Sequence, residues 1–414
     1  MTGQPLSAKA FSPINIGPLT LPNRFIKSAT NEGRAKGAIV SKGLADFHRS
    51  VGAGGAAMTT VAYCAVTPDG RTFEDQVVMT PDHLTDLKAL SAGVHAEGTA
   101  ISAQLTHSGC FNFLPRSAAK NTPISASGGF NKIGARIGRF RKRAMTRTDM
   151  DEIARAFVSA ACLARDTGFD AVELHMGHGY LLSQFLSPIY NQRKDDFGGD
   201  IKARARFPID VLSRVLDAVG GDLAVIVKLS VTDGHKDGNS VQDGIEVVHA
   251  VERAGAHLAV LSNGLNAESV SSMFGSNLPP SVLPPPRNAI ERKLYDAMKI
   301  SGFDRVQFQE LYLLENARRI RDAVSIPLCY LGGVQSAQSV NHVLEAGFET
   351  IALGRALLHD PGLPNKWRAG TFTTSGCTAC NECVATLHAP EGTHCVLNAR
   401  PNADDNKLRA SHKD

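Results

Sequence analysis

Eight short apolar runs punctuate this chain, and most of them show no regular polar alternation. They are "RFIKSAT" (Arg24 to Thr30), "AAMTTVAY" (Ala56 to Tyr63), "AISAQLTH" (Ala100 to His107), "DAVELH" (Asp170 to His175), "LAVIVKLS" (Leu223 to Ser230), "HLAVLSNG" (His257 to Gly264), "IPLCYLGG" (Ile326 to Gly333) and "TIALGR" (Thr350 to Arg355). Such runs read as parallel strands buried on both faces. Amphipathic segments separate them: Pro81 to Ala96, Thr148 to Thr167, Arg204 to Val219, Val241 to Ala254, Glu310 to Ala323 and Ser336 to Glu345. Several end in Gly, as helix C-termini often do. Eight strand-helix units predict the α/β class and a (β/α)8 TIM barrel, and 414 residues suit one such barrel with insertions. Residues 1–370 form the expected barrel and residues 371–414 a tail containing cysteines. Two connections exceed ordinary loop length, Cys110 to Arg147 after strand three and Leu265 to Phe308 after strand six, the latter enclosing "LPPSVLPPPRN". Both would lie on the C-terminal face, where barrel active sites are built.

The chain carries 44 basic and 40 acidic residues, for a formal charge of +4. That balance argues against nucleic acid or an anionic membrane as partner and favours a small-molecule substrate. No apolar run approaches the roughly 18 residues of a membrane helix, and the N-terminus lacks a basic segment before an apolar core. The expected location is the cytoplasm. There, Cys64, Cys110, Cys162 and Cys329 are scattered free thiols, while Cys377, Cys380, Cys383 and Cys395 cluster near the C-terminus.

Two motif matches carry no chemistry. "GAGGAA" (Gly52 to Ala57) follows a helical segment and precedes a strand, the reverse of a dinucleotide fingerprint, so its glycines are expected to form a turn. "DFGG" (Asp196 to Gly199) has no kinase catalytic loop beside it. The basic run "KIGARIGRFRKR" (Lys132 to Arg143) suits a solvated loop better than a phosphate site.

The stretch "ELHMGHGYLLSQFLSP" (Glu173 to Pro188) is harder to read as packing. His175 and His178, three apart, suit a zinc ion, two satisfied histidines at a strand end, or an oxyanion site. Zinc needs further ligands, and Glu173 is expected to point elsewhere. The oxyanion reading puts two imidazole donors on one carbonyl oxygen, with the Tyr180 hydroxyl as proton donor. Such a site polarises an activated alkene for hydride attack, and side chains supply no hydride.

The longer segment "ELHMGHGYLLSQFLSPIYNQRKDDFGGDIKARARFP" (Glu173 to Pro208) resembles the signature of the old yellow enzyme family of flavin-dependent NAD(P)H oxidoreductases and ene-reductases. "LPNRFIKSAT", "QLTHSG", "VKLS", "YLGGV" and "ALGRALLHDP" follow the family order, so the resemblance runs from about Phe11 to Trp367. It implies FMN across the C-terminal mouth of the barrel and NAD(P)H as electron donor. Gly332, Gly333 and Gly354 with Arg355 would hold the phosphate. Gln104 would meet the pyrimidine edge, Ser28, Ala29 and Thr30 the isoalloxazine, and Lys228, where many relatives carry arginine, the N1 and O2 region. Asn191, Arg193, Asp195 and Arg206 are expected to form a structural polar network.

The implied reaction is hydride transfer from reduced flavin to an electron-poor alkene of the α,β-unsaturated carbonyl type, with Tyr180, His175 and His178 catalytic. Alternatives are NADH oxidase activity, amine oxidation within the same family, or a flavin-binding subunit without turnover. The spacing C-x2-C-x2-C-x11-C of Cys377, Cys380, Cys383 and Cys395 is similar to the iron-sulfur motif of the dienoyl-CoA reductase branch, which is one residue longer in the middle. It suits a [4Fe-4S] cluster, zinc, or four reduced thiols. That branch continues into flavin- and nucleotide-binding domains absent from this sequence, so no relay partner for a cluster is expected in the same chain.

Overall fold

The computed structural model describes residues 5–115, 117–118, 121–282, 288–290, 292–293 and 306–398. Residues 283–287 of the proline-rich run after strand six, and the tail beyond residue 398, lie outside the described residues. Eight parallel strands close into a barrel in chain order: β1 (Phe25–Lys27), β2 (Met58–Ala65), β3 (Ala100–Thr106), β4 (Ala171–Met176), β5 (Ala224–Ser230), β6 (Leu258–Ser262), β7 (Leu328–Tyr330) and β8 (Thr350–Leu353). β8 returns to β1 through Ile351 opposite Phe25. Six of the eight sequence runs contain one of these strands whole, and β2 and β4 extend past theirs to Ala65 and Met176. β2, β4 and β6 are buried along their whole length, which explains their unalternating composition.

Helices lie between the strands, and their starts follow capping chemistry. Thr146 and Ser240 begin the helices Arg147–Asp166 and Val241–Ala254 with capping boxes, and Asp200 caps Ile201–Val219 by accepting from the Ala203 amide. The last of these therefore starts three residues before the sequence pattern suggests. The expected helix Glu310 to Ala323 is confined to Leu314–Arg321. Gly54 and Gly55 form the turn between helix Lys42–Ala53 and β2. A Cβ at Gly54 would meet the Pro361 carbonyl oxygen at 1.9 Å, and Gly55 has φ +93°.

The N-terminal hairpin Ile14–Ile16 and Leu19–Leu21 closes the bottom of the barrel, where Ile16 and Leu21 join Met58, Ala171, Ala224 and Leu258 in one buried cluster. That plug leaves the C-terminal face as the open end. The connection after β3 carries a small three-stranded excursion (Ile124–Ser125, Gly129–Phe130, Arg141–Ala144). Its basic residues make protein contacts: Arg143 pairs with Asp149, and Lys142 lies 5.2 Å from the Tyr190 ring centroid. None of the described residues of this run lines the cavity discussed below.

In the segment after β4, Asn191 donates to the Phe185 and Phe197 carbonyls, and Arg193 binds Asp195 and the Ala126 and Met145 carbonyls. This is the expected polar network with one change. The inward guanidinium belongs to Arg204, which donates to the Leu186 carbonyl and Asn239, whereas Arg206 is exposed. Helical phase decides between two arginines only two residues apart. Among the described residues no helix is long and apolar enough to cross a membrane.

Candidate active site

Period-two geometry places Glu173 and His175 of β4 on the same face, inside the barrel, while Leu174 and Met176 face the outer core. Glu173 therefore does not point away from the histidines, as the sequence reading expected. It is 3% exposed, and its Oε1 accepts from Gln104 Nε2 at 2.6 Å and lies 3.2 Å from Lys228 Nζ. Lys228 also donates to Ser28 Oγ at 3.1 Å. A second buried lysine, Lys27, pairs with Glu32, whose other oxygen accepts from the Ala62 amide. Lysines in barrel strands thus stay buried by having partners rather than by reaching solvent.

Beyond β4 the chain turns sharply. His178 adopts φ +62° and Gly179 φ +82°, the left-handed region that a non-glycine residue enters only under constraint. The constraint is visible: the His178 carbonyl accepts from the Asn266 amide, and its Nε2 lies 2.7 Å from Ser262 Oγ. The turn packs Tyr180 against His175 with ring centroids 4.6 Å apart and sets the His175 and His178 rings at 88°. His175 Nδ1 accepts from the Gly177 amide, which leaves Nε2 as the protonated nitrogen of the neutral ring.

Burial, then the neighbouring His178 and Lys228 charges, push the His175 pKa well below the usual histidine range. Burial and Lys228 lower His178 to about 3. Both rings are therefore neutral at physiological pH. Burial raises Tyr180 to about 12, so its phenol keeps its proton. Tyr63 of β2 packs on Tyr180 at 5.4 Å and is itself raised well above the usual phenol value, chiefly by burial.

A cavity of about 560 Å³ opens at the C-terminal ends of the strands. It brings together Ser28, Ala29, Thr30, Gln104, His175, His178, Tyr180, Lys228, Gly333, Gly354 and Arg355. Gly332 is not part of this lining. It packs inward, where a Cβ would meet the Tyr330 hydroxyl at 2.6 Å and Leu313 Cβ at 2.7 Å. Sequence reasoning missed several walls: the stacked pair Phe73 and Phe113, Phe111 against Tyr180, and the tail residues Val384, Leu387 and His388. The tail is anchored there by the Thr393 amide donating to the Glu32 carbonyl and by Arg34 donating to the Thr393 carbonyl. No local sequence signal marks those contacts, because they join segments more than 350 residues apart.

The family described as "NADH:flavin oxidoreductase / NADH oxidase family" matches residues 9–273, well over half the chain. The chain belongs to that family. It is 37% identical over 393 residues to the 4,4'-dithiodibutanoate disulfide reductase of Rhodococcus erythropolis, covering 94% of each chain. It is 28% identical over 377 residues to the NADH oxidase of Thermoanaerobacter brockii, but spans only 52% of that longer protein. The old yellow enzyme homologue from Zymomonas mobilis shares the fold, with a TM-score of 0.70, 18% identity and coverage of 94% and 98%. This member of the NADH:flavin oxidoreductase family is accordingly an enzyme of flavin-dependent NAD(P)H oxidoreduction.

The cavity suits the flavin mononucleotide that the family implies. Gln104 and Lys228 offer an amide and an amine to the cavity, and Gly354 leaves its backbone open to it, since a Cβ there would meet only Thr30 at 3.4 Å. Arg355 stands beside it. Three of its N–H donors go to Ser276, Asn381 and the Phe274 carbonyl, and its guanidinium lies over the Phe274 and Phe308 rings at 5.6 and 5.4 Å. A planar cation fixed in this way suits a phosphate dianion.

Arg355 also lines a second cavity of about 10 Å³, bounded by all four tail cysteines, and Cys383 faces both cavities. The four thiols surround one small space. Among the described residues, however, no three His, Cys, Asp or Glu side chains stand in a metal-holding arrangement. Burial raises Cys377, and raises Cys383 to about 11, so both are thiols in this state. Cys395 Sγ lies 3.3 Å from His359 Nδ1.

Proposed function

We propose that this enzyme binds FMN in the large cavity and uses NAD(P)H to reduce an electron-poor alkene, with Tyr180 as proton donor and His175 and His178 as carbonyl ligands. The observation that carries the reading is the contacting His175 and Tyr180 pair on one cavity wall, the first neutral and the second protonated. Bound FMN would supply the hydride chemistry that links NAD(P)H to the substrate.

This chain's own side chains do the rest. His175 Nε2–H and the His178 ring offer hydrogen bonds to a substrate carbonyl oxygen, which draws electron density from the adjacent double bond. Held neutral by burial, they stabilise negative charge on that oxygen without losing a proton to it. Tyr180 supplies the proton that the substrate α-carbon needs once the β-carbon has received hydride. Phe73, Phe111 and Phe113 shed water from the entry and favour an apolar, planar substrate. Ser28, Ala29, Thr30, Gln104 and Lys228 hold the ring system, and Gly333, Gly354 and Arg355 the phosphate. Cys377, Cys380, Cys383 and Cys395 offer four thiolates to an iron-sulfur cluster or zinc.

A second reading is reduction of a disulfide that carries carboxylates. It is favoured by the full-length similarity to the Rhodococcus erythropolis reductase. Purified protein should release FMN on heating and consume NAD(P)H when an enone such as 2-cyclohexenone is added. Absence of flavin, with failure to bind added FMN, would sink the cofactor assignment. Turnover with 4,4'-dithiodibutanoate and none with enones would replace the alkene reading by the disulfide one.

A further inference from the structure

We propose that Glu173 is a positioning residue that sets how strongly the bound flavin holds electrons, by fixing the Gln104 amide and balancing the charge of Lys228. The inference rests on the reading that FMN occupies the cavity.

Strand register builds the arrangement. Glu173 of β4 stands opposite Gln104 of β3, and Lys228 lies on β5 at the other side of β4. One carboxylate oxygen therefore meets both, at 2.6 Å from the amide nitrogen and 3.2 Å from the ammonium. Gln104 Oε1 accepts from the Tyr63 amide at 3.2 Å, so the amide is held at both ends and cannot flip without losing two bonds. What it turns to the cavity is then one N–H and one lone pair in fixed positions. Glu173 does not line the cavity, so it acts only through these neighbours.

The charge argument is separate. A flavin reduced by hydride carries an added negative charge. A lone buried lysine beside it would favour the reduced state strongly, because low local dielectric amplifies the attraction. A lysine paired with a carboxylate favours it much less. Lys27 and Glu32 form a second buried pair of opposite charge. Glu173 thus keeps the reduced flavin a ready hydride donor rather than an electron sink.

Sulfite tests this directly, because it adds reversibly to oxidised flavins and bleaches them, with an affinity that follows the reduction potential. Glu173→Gln is expected to bind sulfite at least tenfold more tightly than the wild type, equivalent to about 30 mV for a two-electron couple. Glu173→Asp keeps the charge, so it should lower the melting temperature while leaving sulfite affinity within about threefold, an outcome no purely structural role would split this way. Should Glu173→Gln fail to fold, Lys228→Met alone should bind sulfite at least tenfold more weakly than Lys228→Met combined with Glu173→Met. Equal sulfite affinity in flavin-loaded wild type and Glu173→Gln, or in that second pair, overturns the proposal. Wild type that takes up no FMN overturns the cofactor reading beneath it.

Discussion

The ring of Tyr180 lies 4.6 Å from that of His175, centroid to centroid, tilted by 56°. One residue comes from the end of a barrel strand and the other from the turn that follows, yet they share one wall of the cavity. In the proposed reaction neutral His175 donates a hydrogen bond, while Tyr180 keeps a proton to give. Tyr180→Phe should therefore leave flavin reduction by NAD(P)H near normal and slow flavin oxidation by an enone about a hundredfold or more. Stopped-flow kinetics of the two half-reactions reads this directly. Equal slowing of both halves, or of neither, removes Tyr180 from the proton-transfer step.

The histidines should behave in the opposite manner, as ligands rather than acids. Removing either donor, as in His175→Ala or His178→Ala, should cost about 3 kcal/mol of transition-state stabilisation, roughly a hundredfold in rate. A phenol titrated into oxidised enzyme should give a long-wavelength charge-transfer band that both variants lose. A variant retaining the full band would show that its histidine does not touch the ligand oxygen.

Stability should fall on mild acidification. His107 and His178 are held neutral in the fold, with values near 4 and 3, whereas the unfolded chain takes up protons near 6.5. Between those limits the unfolded state binds more protons, so stability is full above about pH 6.5 and declines as pH drops toward the folded values. By pH 5 each group accounts for about 2 kcal/mol. Thermal melts from pH 7.5 to 5 should show the decline, and His178→Gln should flatten part of it. A flat wild-type profile would contradict neutral burial of these rings.

The four tail cysteines are expected to hold about four irons or about one zinc per chain when the protein is purified anaerobically. Cys383 faces the large cavity as well as the small one, so its replacement by serine should lower metal content and disturb ligand binding together. Metal-free protein with full activity would leave the segment as a wall of the pocket.

Some of this was legible in one dimension because it depends on local periodicity. Apolar runs without polar alternation hide their surface in a sheet covered on both sides, and helical segments between eight of them suit a closed parallel barrel. The histidine and tyrosine cluster was legible too. Its residues lie within six positions of one another on a strand end and the turn that follows, although the turn itself is held by Ser262 and Asn266 from a distant segment.

What required tertiary structure was every relationship that crosses between strands. The role of Glu173 depends on register with Gln104 and Lys228, 69 and 55 positions away in the chain, and register is fixed only when the barrel closes. The inward orientation of Arg204 rather than Arg206 depends on helical phase against a carbonyl of another segment. The tail's place in the cavity wall depends on a backbone hydrogen bond between Thr393 and Glu32. A sequence specifies its local conformations through propensity and spacing. Which charges meet inside a barrel is decided by closure, because only the closed form excludes water and compels each buried polar group to find a partner.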